Sequence, residues 1–343
     1  MPLKSPVNLD SISDEALLGT RVCDLPVTVS GTWLADCVEQ LYRELADNGI
    51  LFRPKCFLAD EWLTPENETC IGIPFYLAHP RLTALEKHFM ERAEGEERTE
   101  CMKLLRHEAG HALYYAYRIH ARRKWQRLFG SAKTEYGETY RYRPYSRNFV
   151  RHLEGHYAQY HPEEDFVETF AVWLTPGLDW RSRYRGWKAL DKLNYVDRLM
   201  NTLRGRPPRH ISARQYWRIS TLRCTLRHYY KRKRRAMAEE FPDFHDSFLK
   251  KRFLSGTENG TGSQPAAAIL RKYRKELVDN VALISGEPKH LIRELLSVIQ
   301  KRSRQLDLCT DDNESAVLLS ISAYITSLAK NYQYTGRYRG KKV

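Results

Sequence analysis

The chain has few of the features that define disulfide-rich, secreted or membrane-spanning proteins. Its seven cysteines are scattered, odd in number and never arranged as C-x-x-C, which argues against a disulfide framework or a cysteine-built zinc ribbon and favours a reducing compartment. The first residues contain no unbroken apolar segment of the kind that signal peptides carry. The most apolar stretch, residues 316–329, is too short and too often interrupted by Ser, Thr and Tyr to span a bilayer. These absences predict a soluble cytoplasmic protein with no membrane partner.

The composition is that of a globular protein with an excess of positive charge. Hydrophobic residues make up 42% and charged residues 29% of the 343 residues, which predicts one large or two smaller domains with a buried core. The net charge is +14, and residues 201–255 contain 15 Lys or Arg against 4 Asp or Glu. We therefore expect this segment to contact an acidic partner.

The densest basic run is Lys231 to Arg235, within the sequence HYYKRKRRAMAEEF. A nucleic-acid-binding surface would use such cations to neutralise phosphates and the neighbouring tyrosines to stack on bases. A solvated basic helix that packs on the rest of the protein has the same composition. The second interpretation is favoured, because no recognised DNA- or RNA-binding motif accompanies the run.

Hydrophobic periodicity predicts a mainly helical chain with a few strands. Extended segments are expected over residues 50–58 and 70–80, and Pro74 suits a sheet edge because it cannot donate a backbone hydrogen bond. Residues 130–150 have the composition of a loop, and the Gly-rich polar stretch 256–265 that of a linker. Helices are expected over residues 32–48, 82–93, about 100–125, 161–176, 180–200, 266–281, 287–306 and 313–331.

The stretch LLRHEAGHAL, residues 104–113, places two histidines four residues apart on one face of a predicted helix. His107 and His111 would give zinc two imidazole ligands. Glu108 would act as general base on a zinc-bound water that attacks a carbonyl, and then pass the proton to the leaving amine. Gly110 would let another backbone or the substrate approach the helix closely. From average composition, H-E-x-x-H arises by accident in roughly one per cent of chains this long, so a third ligand is needed to support the site.

A third ligand is available in HPEEDFVETFAVW, residues 161–173. Glu164 and Glu168 are one helical turn apart and share a face of the second predicted helix. Glu164 is assigned as the ligand, which leaves one position open as catalysis requires. Glu168 is assigned to accept the free N–H of a ligating histidine. The reverse order of the two glutamates, or participation of Asp165, stays open.

Other side chains between the two motifs are weaker candidates. Tyr157 precedes Glu164 by seven residues, either about two helical turns away or at the end of the preceding loop, and could donate a hydrogen bond to a tetrahedral oxyanion. Tyr160 competes for that role, and a packing role for Tyr157 is equally consistent with the sequence. Arg147 and Arg151 could bind a substrate carboxylate, although arginines in a basic protein are more often surface residues.

Three further histidines surround the second motif. His152, His156 and His161 fit surface or helix-capping positions better than ligand positions, and His161 precedes a proline that predicts a helix start. If His156 or His161 supplied a fourth ligand, the protein would be a zinc-binding scaffold without catalysis. Glu108 argues against that alternative, since a purely structural site has no use for a base.

Together these motifs carry a family resemblance. LLRHEAGHAL followed by HPEEDFVETFAVWLTP resembles the bacterial zinc-binding metallopeptidases of the gluzincin class, as do the flanking stretches IPFYLAHPRL, RPYSRNFVRHL and WRSRYRGWKALDKLNYVDRLM. The resemblance extends over about residues 50–200 and is weaker beyond. It implies a zincin fold, in which a small sheet lies over the motif helix and the substrate follows an edge strand. We expect the 70–80 segment to be that edge.

The resemblance also implies roles for single residues. His107 and His111 match the first two zinc ligands, Glu108 the base and Glu164 the third ligand. Tyr157 is similar to a tyrosine of lethal-factor-type gluzincins. Two departures from the family pattern are Val167, where the family has alanine, and Tyr160, where it often has a small polar residue.

These observations predict an α+β protein with a zincin-like core and a mainly α-helical C-terminal region. The expected organisation is a metallopeptidase domain over 1–200, a basic helical segment over 201–255, a linker over 256–265 and a helical region over 266–343. The expected activity is Zn²⁺-dependent hydrolysis of peptide bonds in a peptide or protein substrate.

Overall fold

A computed structural model describes residues 8–90, 92–136, 142–143, 145–212, 214–236, 245–255 and 263–335. The chain divides into two compact units, one formed by Met1–His88 with Ala93–Tyr229 and the other by Phe89–Arg92 with Tyr230–Val343. The predicted basic segment 201–255 is divided between them, with 201–229 in the first unit and 230–255 in the second. The predicted linker 256–265 lies outside the described residues except for 263–265.

The described residues form helices and two small sheets, which confirms the α+β class. In the part of the chain up to residue 203, two strands, β1 (Lys55–Ala59) and β2 (Cys70–Pro74), pair in parallel with Lys55 opposite Cys70. The helices are α1 (Asp14–Gly19), α2 (Trp33–Asp47), α3 (Pro80–Met90), α4 (Arg98–Ala116), α5 (Arg123–Phe129), α6 (Pro162–Leu174), α7 (Trp180–Arg183) and α8 (Ala189–Leu203).

The β1–β2 sheet is shorter than predicted. Residues 50–54 stay outside β1, and β2 ends at Pro74, which has no N–H for the ladder and leads into a 3₁₀ helix, Phe75–Ala78. Gly72 is paired with Phe57 and also exchanges two backbone hydrogen bonds with Leu63, at 2.8 and 3.3 Å. The sheet edge at Gly72 is therefore already covered by the chain itself.

Helix α4 carries the HEAGH motif and is shorter than its predicted length. It ends at Ala116, and Arg118 adopts a left-handed conformation with φ of 50°, which stops an α-helix. A 3₁₀ turn, Ile119–Ala121, and helix α5 follow. The predicted helix over about 100–125 was therefore wrong at its C-terminal end.

Helices α4 and α6 pack against each other at Gly110. A Cβ atom at this position would lie 3.0 Å from Val167 Cγ1 and 3.2 Å from both Val167 Cα and Phe170 Cδ1. The absence of a side chain at Gly110 thus allows the backbone of α6 to approach α4. This approach brings the first turn of α6 alongside the histidines of α4.

From residue 226 onward the described residues are mainly helical. A small antiparallel sheet has the strand order β3–β5–β4, with β3 at Leu254–Ser255, β4 at Gln264–Pro265 and β5 at Leu308–Thr310. The predicted helix over 266–281 is broken at Tyr273, whose φ of −101° and ψ of 20° depart from helical values. The helices are α9 (Leu226–Ala236), α10 (Asp246–Arg252), α11 (Ala266–Lys272), α12 (Arg274–Ser285), α13 (Lys289–Gln305) and α14 (Glu314–Thr335).

The second unit has a hydrophobic core of its own. Helix α13 contributes Leu291, Ile292 and Ile299 to it, and α14 contributes Ile321 and Ile325, all at most 4% exposed. Of the helices that the described residues form, none combines the length and the apolar content needed to cross a membrane.

Candidate metal centre

Helices α4 and α6 bring two histidines and one glutamate together in a buried group. His107 Nε2 and His111 Nε2 each lie 3.3 Å from Glu164 Oε2. The ligand atoms of the three residues all fall within 4.8 Å of one another, and all three side chains are buried. No other group of three or more potential ligands occurs in the described part of the chain.

The spacing of these atoms fits a tetrahedral metal ion. Zinc bonds of about 2.0–2.1 Å to nitrogen and oxygen, at tetrahedral angles, separate neighbouring ligand atoms by about 3.3 Å. The two measured histidine-to-glutamate distances equal that value. Glu164 Oε2 is buried and has no hydrogen-bond partner among the described residues. A shared cation between these atoms would satisfy an oxygen that is otherwise costly to bury.

Each histidine has a carboxylate on its other nitrogen. His107 Nδ1 is 2.8 Å from Glu168 Oε1, and His111 Nδ1 is 2.7 Å from Glu163 Oε1. An ionised carboxylate only accepts hydrogen bonds, so each Nδ1 donates a proton to its partner. In the neutral imidazole the lone pair is then on Nε2, which faces Glu164. Both rings are thereby held in the tautomer that a metal ion requires.

Glu168 is itself fixed by the backbone. Its Oε2 accepts a hydrogen bond from the Leu153 amide at 2.9 Å, so the side chain links the chain segment before α6 to His107. Glu163 lies in the first turn of α6, where the helix dipole favours acidic groups. His161 caps this helix, its Nδ1 accepting from the Glu163 amide at 3.1 Å.

The charges of the group are strongly coupled. Burial alone would lower the pKa of His107, but the adjacent carboxylates of Glu164 and Glu168 outweigh it and raise the pKa to about 9. Burial would also lower the pKa of His111, but the carboxylates of Glu164 and Glu163 raise it well above its usual range. Burial raises the pKa of Glu164, and the two histidines more than reverse this, holding it well below its usual range. Without a metal ion, the carboxylates therefore favour protonation of the two imidazoles.

Glu108 is buried beside the His107–His111–Glu164 group. It is 7% exposed, and its Oε2 has no hydrogen-bond partner among the described residues. Thr64 Oγ1 donates to its backbone carbonyl at 3.3 Å, which ties the middle of α4 to the extended segment before β2. An unpaired carboxylate oxygen at this position is available to accept a proton.

The group opens into a cleft of about 640 Å³. One wall is the segment Trp62–Glu66, whose Leu63 covers the edge of β2, and another is the loop Ala132–Tyr136. Residues 70–80 do not line the cleft. The prediction that they form the substrate-binding edge was therefore wrong, because the preceding chain folds over that edge and occupies the position.

Two tyrosines face the ligands from the cleft. The Tyr157 ring lies 5.6 Å from the His107 ring, in a 3₁₀ helix, Glu154–Gln159. The alternative of an early start for α6 is excluded, since His161 caps that helix after Tyr157. Tyr136 donates a hydrogen bond from its hydroxyl to Glu164 Oε1 at 3.1 Å. Tyr160 packs against both tyrosines, with ring separations of 5.6 and 5.7 Å.

The other histidines considered as ligands have different surroundings. Both ring nitrogens of His161 are engaged, one as the α6 cap and the other 3.0 Å from the Thr134 carbonyl oxygen. His156 stacks on Tyr142 at 4.7 Å. His152 Nε2 lies 3.0 Å from the Lys103 carbonyl oxygen. Within the described residues, none of the three joins the His107–His111–Glu164 group.

Asp165, Arg147 and Arg151 do not join the His107–His111–Glu164 group either. Asp165 Oδ2 forms a buried ion pair with Lys192 Nζ at 2.6 Å. Burial raises the pKa of Asp165 to about 7, although Lys192 opposes the shift. Arg147 is exposed and does not line the cleft, and Arg151 lines a different cavity. The structure thus places neither arginine in the cleft beside the His107–His111–Glu164 group.

The basic run lies on α9, and the tyrosines before it are buried. Tyr229 is 3% exposed and donates its hydroxyl to the Asp60 carbonyl at 3.0 Å, and Tyr230 is 1% exposed and stacks on Phe89 at 4.7 Å. Lys231 and Arg232 are exposed, while the side chains of Arg234 and Arg235 lie outside the described set. These two tyrosines are unavailable for stacking on bases.

Sequence reasoning missed Glu163, Tyr136 and the wall Trp62–Glu66. Glu163 belongs to an acidic triplet at a helix start, which is explained by the helix dipole alone. Tyr136 and the wall are close to the ligands only through folding, and no sequence spacing relates them to either motif.

Comparison with known proteins found no relative of this chain. No protein-family model, no curated protein and no solved structure matches the chain. The metallopeptidase resemblance therefore stays a prediction that depends on the motifs.

Proposed function

We propose that the protein is a zinc-dependent metallopeptidase with a zincin-like arrangement of its two motif helices. The observation that carries this proposal is the buried His107–His111–Glu164 group, with its 3.3 Å spacing and the unpaired Glu108 carboxylate beside it. Two nitrogen ligands and one oxygen ligand suit zinc, and three protein ligands leave a coordination position open, as in catalytic sites. A purely structural zinc site is closed by a fourth ligand.

When bound, a zinc ion supplies Lewis-acid activation of a water molecule and of the substrate carbonyl. Glu108 takes a proton from the attacking water and delivers it to the leaving amine. Its burial keeps bulk water away from the carboxylate, and its unpaired oxygen leaves it free to accept that proton. Tyr157, on the cleft wall beside His107, is assigned to donate a hydrogen bond to the developing oxyanion.

The protein segment Trp62–Glu66 is assigned as the surface along which the peptide substrate binds. It lies over the motif helix and is joined to it by the Thr64 hydrogen bond. A reducing cytoplasmic location is proposed for the reaction. All seven cysteines are free thiols, two of them buried in helices α2 and α4, which is compatible with that location.

The test separates metal binding from chemistry. Metal content by mass spectrometry is compared for the wild type, His107→Ala, Glu164→Ala and Glu108→Gln, alongside cleavage of a peptide library. We expect about one zinc per chain in the wild type and in Glu108→Gln, and loss of the metal in the two ligand variants. Cleavage by Glu108→Gln should fall about 10²- to 10⁴-fold. Tyr157→Phe should keep the metal and cleave more slowly.

Glu97→Gln is the matched control, since this exposed glutamate precedes α4 and does not line the cleft. Metal content that is unaffected by both ligand substitutions would contradict the assigned ligands. Undiminished cleavage by Glu108→Gln would contradict its role as base.

A further inference from the structure

A second cavity in the first unit, of about 390 Å³, is lined by different residues from the cleft at the metal centre. Its lining is mixed. We call the exposed basic side chains that line it the rim, and the apolar residues Met102, Val172 and Leu178 the floor. No carboxylate of the described residues lines it. The basic residues are Arg98, Lys103, Arg106, Arg151, His152 and Arg183.

Three of these basic side chains, Arg98, Lys103 and Arg183, form no ion pair with a described carboxylate. Arg106 forms a bidentate ion pair with Glu44, at 2.7 and 2.8 Å. Arg98 donates instead to the neutral amide of Gln40 at 2.8 Å, so its charge is retained. Lys103 and Arg183 form no ion pair with any described carboxylate. The cavity therefore has an excess of positive charge that an anion would compensate.

One part of the rim is held by a hydrogen-bond network between α2 and α4. Gln40 Nε2 donates to Glu44 Oε1 at 3.0 Å, and Glu44 in turn accepts both bonds from Arg106. Gln40 Oε1 accepts the bond from Arg98. The guanidinium of Arg98 is thus positioned before any ligand is present.

Aromatic side chains hold another part of the rim. The Arg151 guanidinium lies 5.3 Å from the Trp187 ring centroid, and that of Arg183 lies 5.7 Å from the Tyr184 ring centroid. The Tyr184 hydroxyl also accepts a hydrogen bond from the Arg151 amide at 3.0 Å. These contacts reduce the side-chain entropy that ligand binding would otherwise cost.

We infer that this cavity binds a small phosphorylated organic molecule, with its phosphate groups on Arg98, Lys103 and Arg183 and its apolar part on the Met102–Val172 floor. Planar guanidinium groups match phosphate oxygens in a bidentate geometry. Several uncompensated cations favour a multiply charged phosphate over a single carboxylate. The volume lies within the range of about 300–1,000 Å³ that small-molecule sites have. This inference does not depend on the peptidase activity.

The test is isothermal titration calorimetry of the full-length protein with ATP and with inorganic pyrophosphate at physiological ionic strength. The variant Lys103→Gln/Arg183→Gln removes two exposed cations from the rim. The control Arg181→Gln/Lys188→Gln removes the same charge from nearby exposed positions that do not line the cavity. We expect saturable binding to the wild type and to the control. Binding to the rim variant should be at least about tenfold weaker, since each lost contact is a charge-assisted hydrogen bond.

Because phosphates also bind zinc, the titration is repeated on Glu164→Gln, which is designed to lack the metal. Binding should persist in that variant. The inference is overturned if neither probe binds, if rim and control variants weaken binding equally, or if binding disappears in Glu164→Gln. Binding of single-stranded oligonucleotides but not ATP, with the same dependence on Arg183, would also overturn it in favour of a nucleic-acid surface.

Discussion

At the scale of single residues, the carboxylates that bind the Nδ1 atoms of the two histidines matter as much as the proposed ligands. Glu163 and Glu168 each accept the Nδ1 proton of one histidine, so both rings are oriented by α6 as well as by their own helix. Substitution of such partners costs about 10- to 100-fold in metal affinity in other metal sites. The same dependence is expected here.

Glu163→Gln and Glu168→Gln should therefore each weaken zinc binding by about 10- to 100-fold. Glu168→Gln should have the larger effect, because the two oxygens of Glu168 accept from His107 and from the Leu153 amide, whereas an amide group has only one acceptor oxygen. Competition with a fluorescent chelator measures the affinities, with Glu97→Gln as control. Unchanged affinity in both variants would show that the histidines are oriented without these glutamates.

Proton competition at His107 gives a pH dependence. The adjacent carboxylates of Glu164 and Glu168, acting against burial, raise the folded-state pKa of His107 from 6.5 to about 9 in the metal-free protein. Its contribution to stability is thus fully present below pH 6.5 and is lost as the pH rises through about 9. Zinc binding requires the neutral imidazole, so affinity should change in the opposite direction.

Zinc affinity should accordingly rise between pH 6.5 and 9 while the Tm of the chelator-treated protein falls. Calorimetry in buffers of different ionisation enthalpy measures the protons that zinc binding releases. Binding without proton release near neutral pH would contradict the protonated state of the metal-free site.

At the scale of elements, the site depends on how closely α4 and α6 approach. A Cβ atom at Gly110 would lie 3.0 Å from Val167 Cγ1, so Val167 packs directly on the glycine of the HEAGH motif. Gly110→Ala gains about 1 kcal/mol of helix propensity. Overpacking costs about 1–3 kcal/mol, and the close Val167 backbone atom cannot rotate away.

Gly110→Ala should therefore lower the free energy of unfolding by up to about 2 kcal/mol. It should also weaken zinc binding, because α6 carries Glu164. The double variant with Val167→Ala should recover part of both losses, since the nearest methyl group is removed. A double-mutant cycle on denaturant unfolding and zinc affinity measures this coupling. Additive effects would indicate that the two helices adjust elsewhere.

At the scale of the whole molecule, the cleft is rich in negative charge although the chain as a whole is positive. The protein carries a net charge of +14, yet the described residues of the cleft include one ammonium group, Lys133, against five carboxylates. Two of these carboxylates, Glu66 and Glu135, are exposed, and the others are Glu108, Glu163 and Glu164. The positive charges of a divalent metal ion and of Lys133 together would not neutralise these five carboxylates.

Peptides with Lys or Arg beside the cleaved bond should therefore be hydrolysed faster than matched peptides with Glu. The preference should weaken as salt screens the exposed charges. In Glu66→Gln/Glu135→Gln it should shrink, whereas Glu39→Gln/Glu97→Gln, at exposed positions outside the cleft, should retain it. Comparison of kcat/KM for the two peptide sets tests this. Equal values in the wild type would exclude electrostatic selection by the cleft.

The sequence by itself determined the helix that carries HEAGH and the capped helix that carries Glu164. Both rest on local information: a 3.6-residue apolar period, a His161–Pro162 start and a four-residue histidine spacing. The same spacing put the imidazoles on one face of α4. The extent of α4 was not determined locally, because Arg118 adopts a left-handed conformation that no breaker residue announces.

Only the tertiary structure decided which groups complete the centre. Glu163 contacts His111 across 52 positions of sequence, and Tyr136 contacts Glu164 across 28. The wall Trp62–Glu66 lines the same cleft from a distant part of the chain. Side-chain spacing carries no information over such separations. The covering of β2 by Leu63 and the pairing of Asp165 with Lys192 were likewise fixed by packing. The physical reason is that local periodicity selects the face of a helix, whereas the partner of that face depends on how the helices pack.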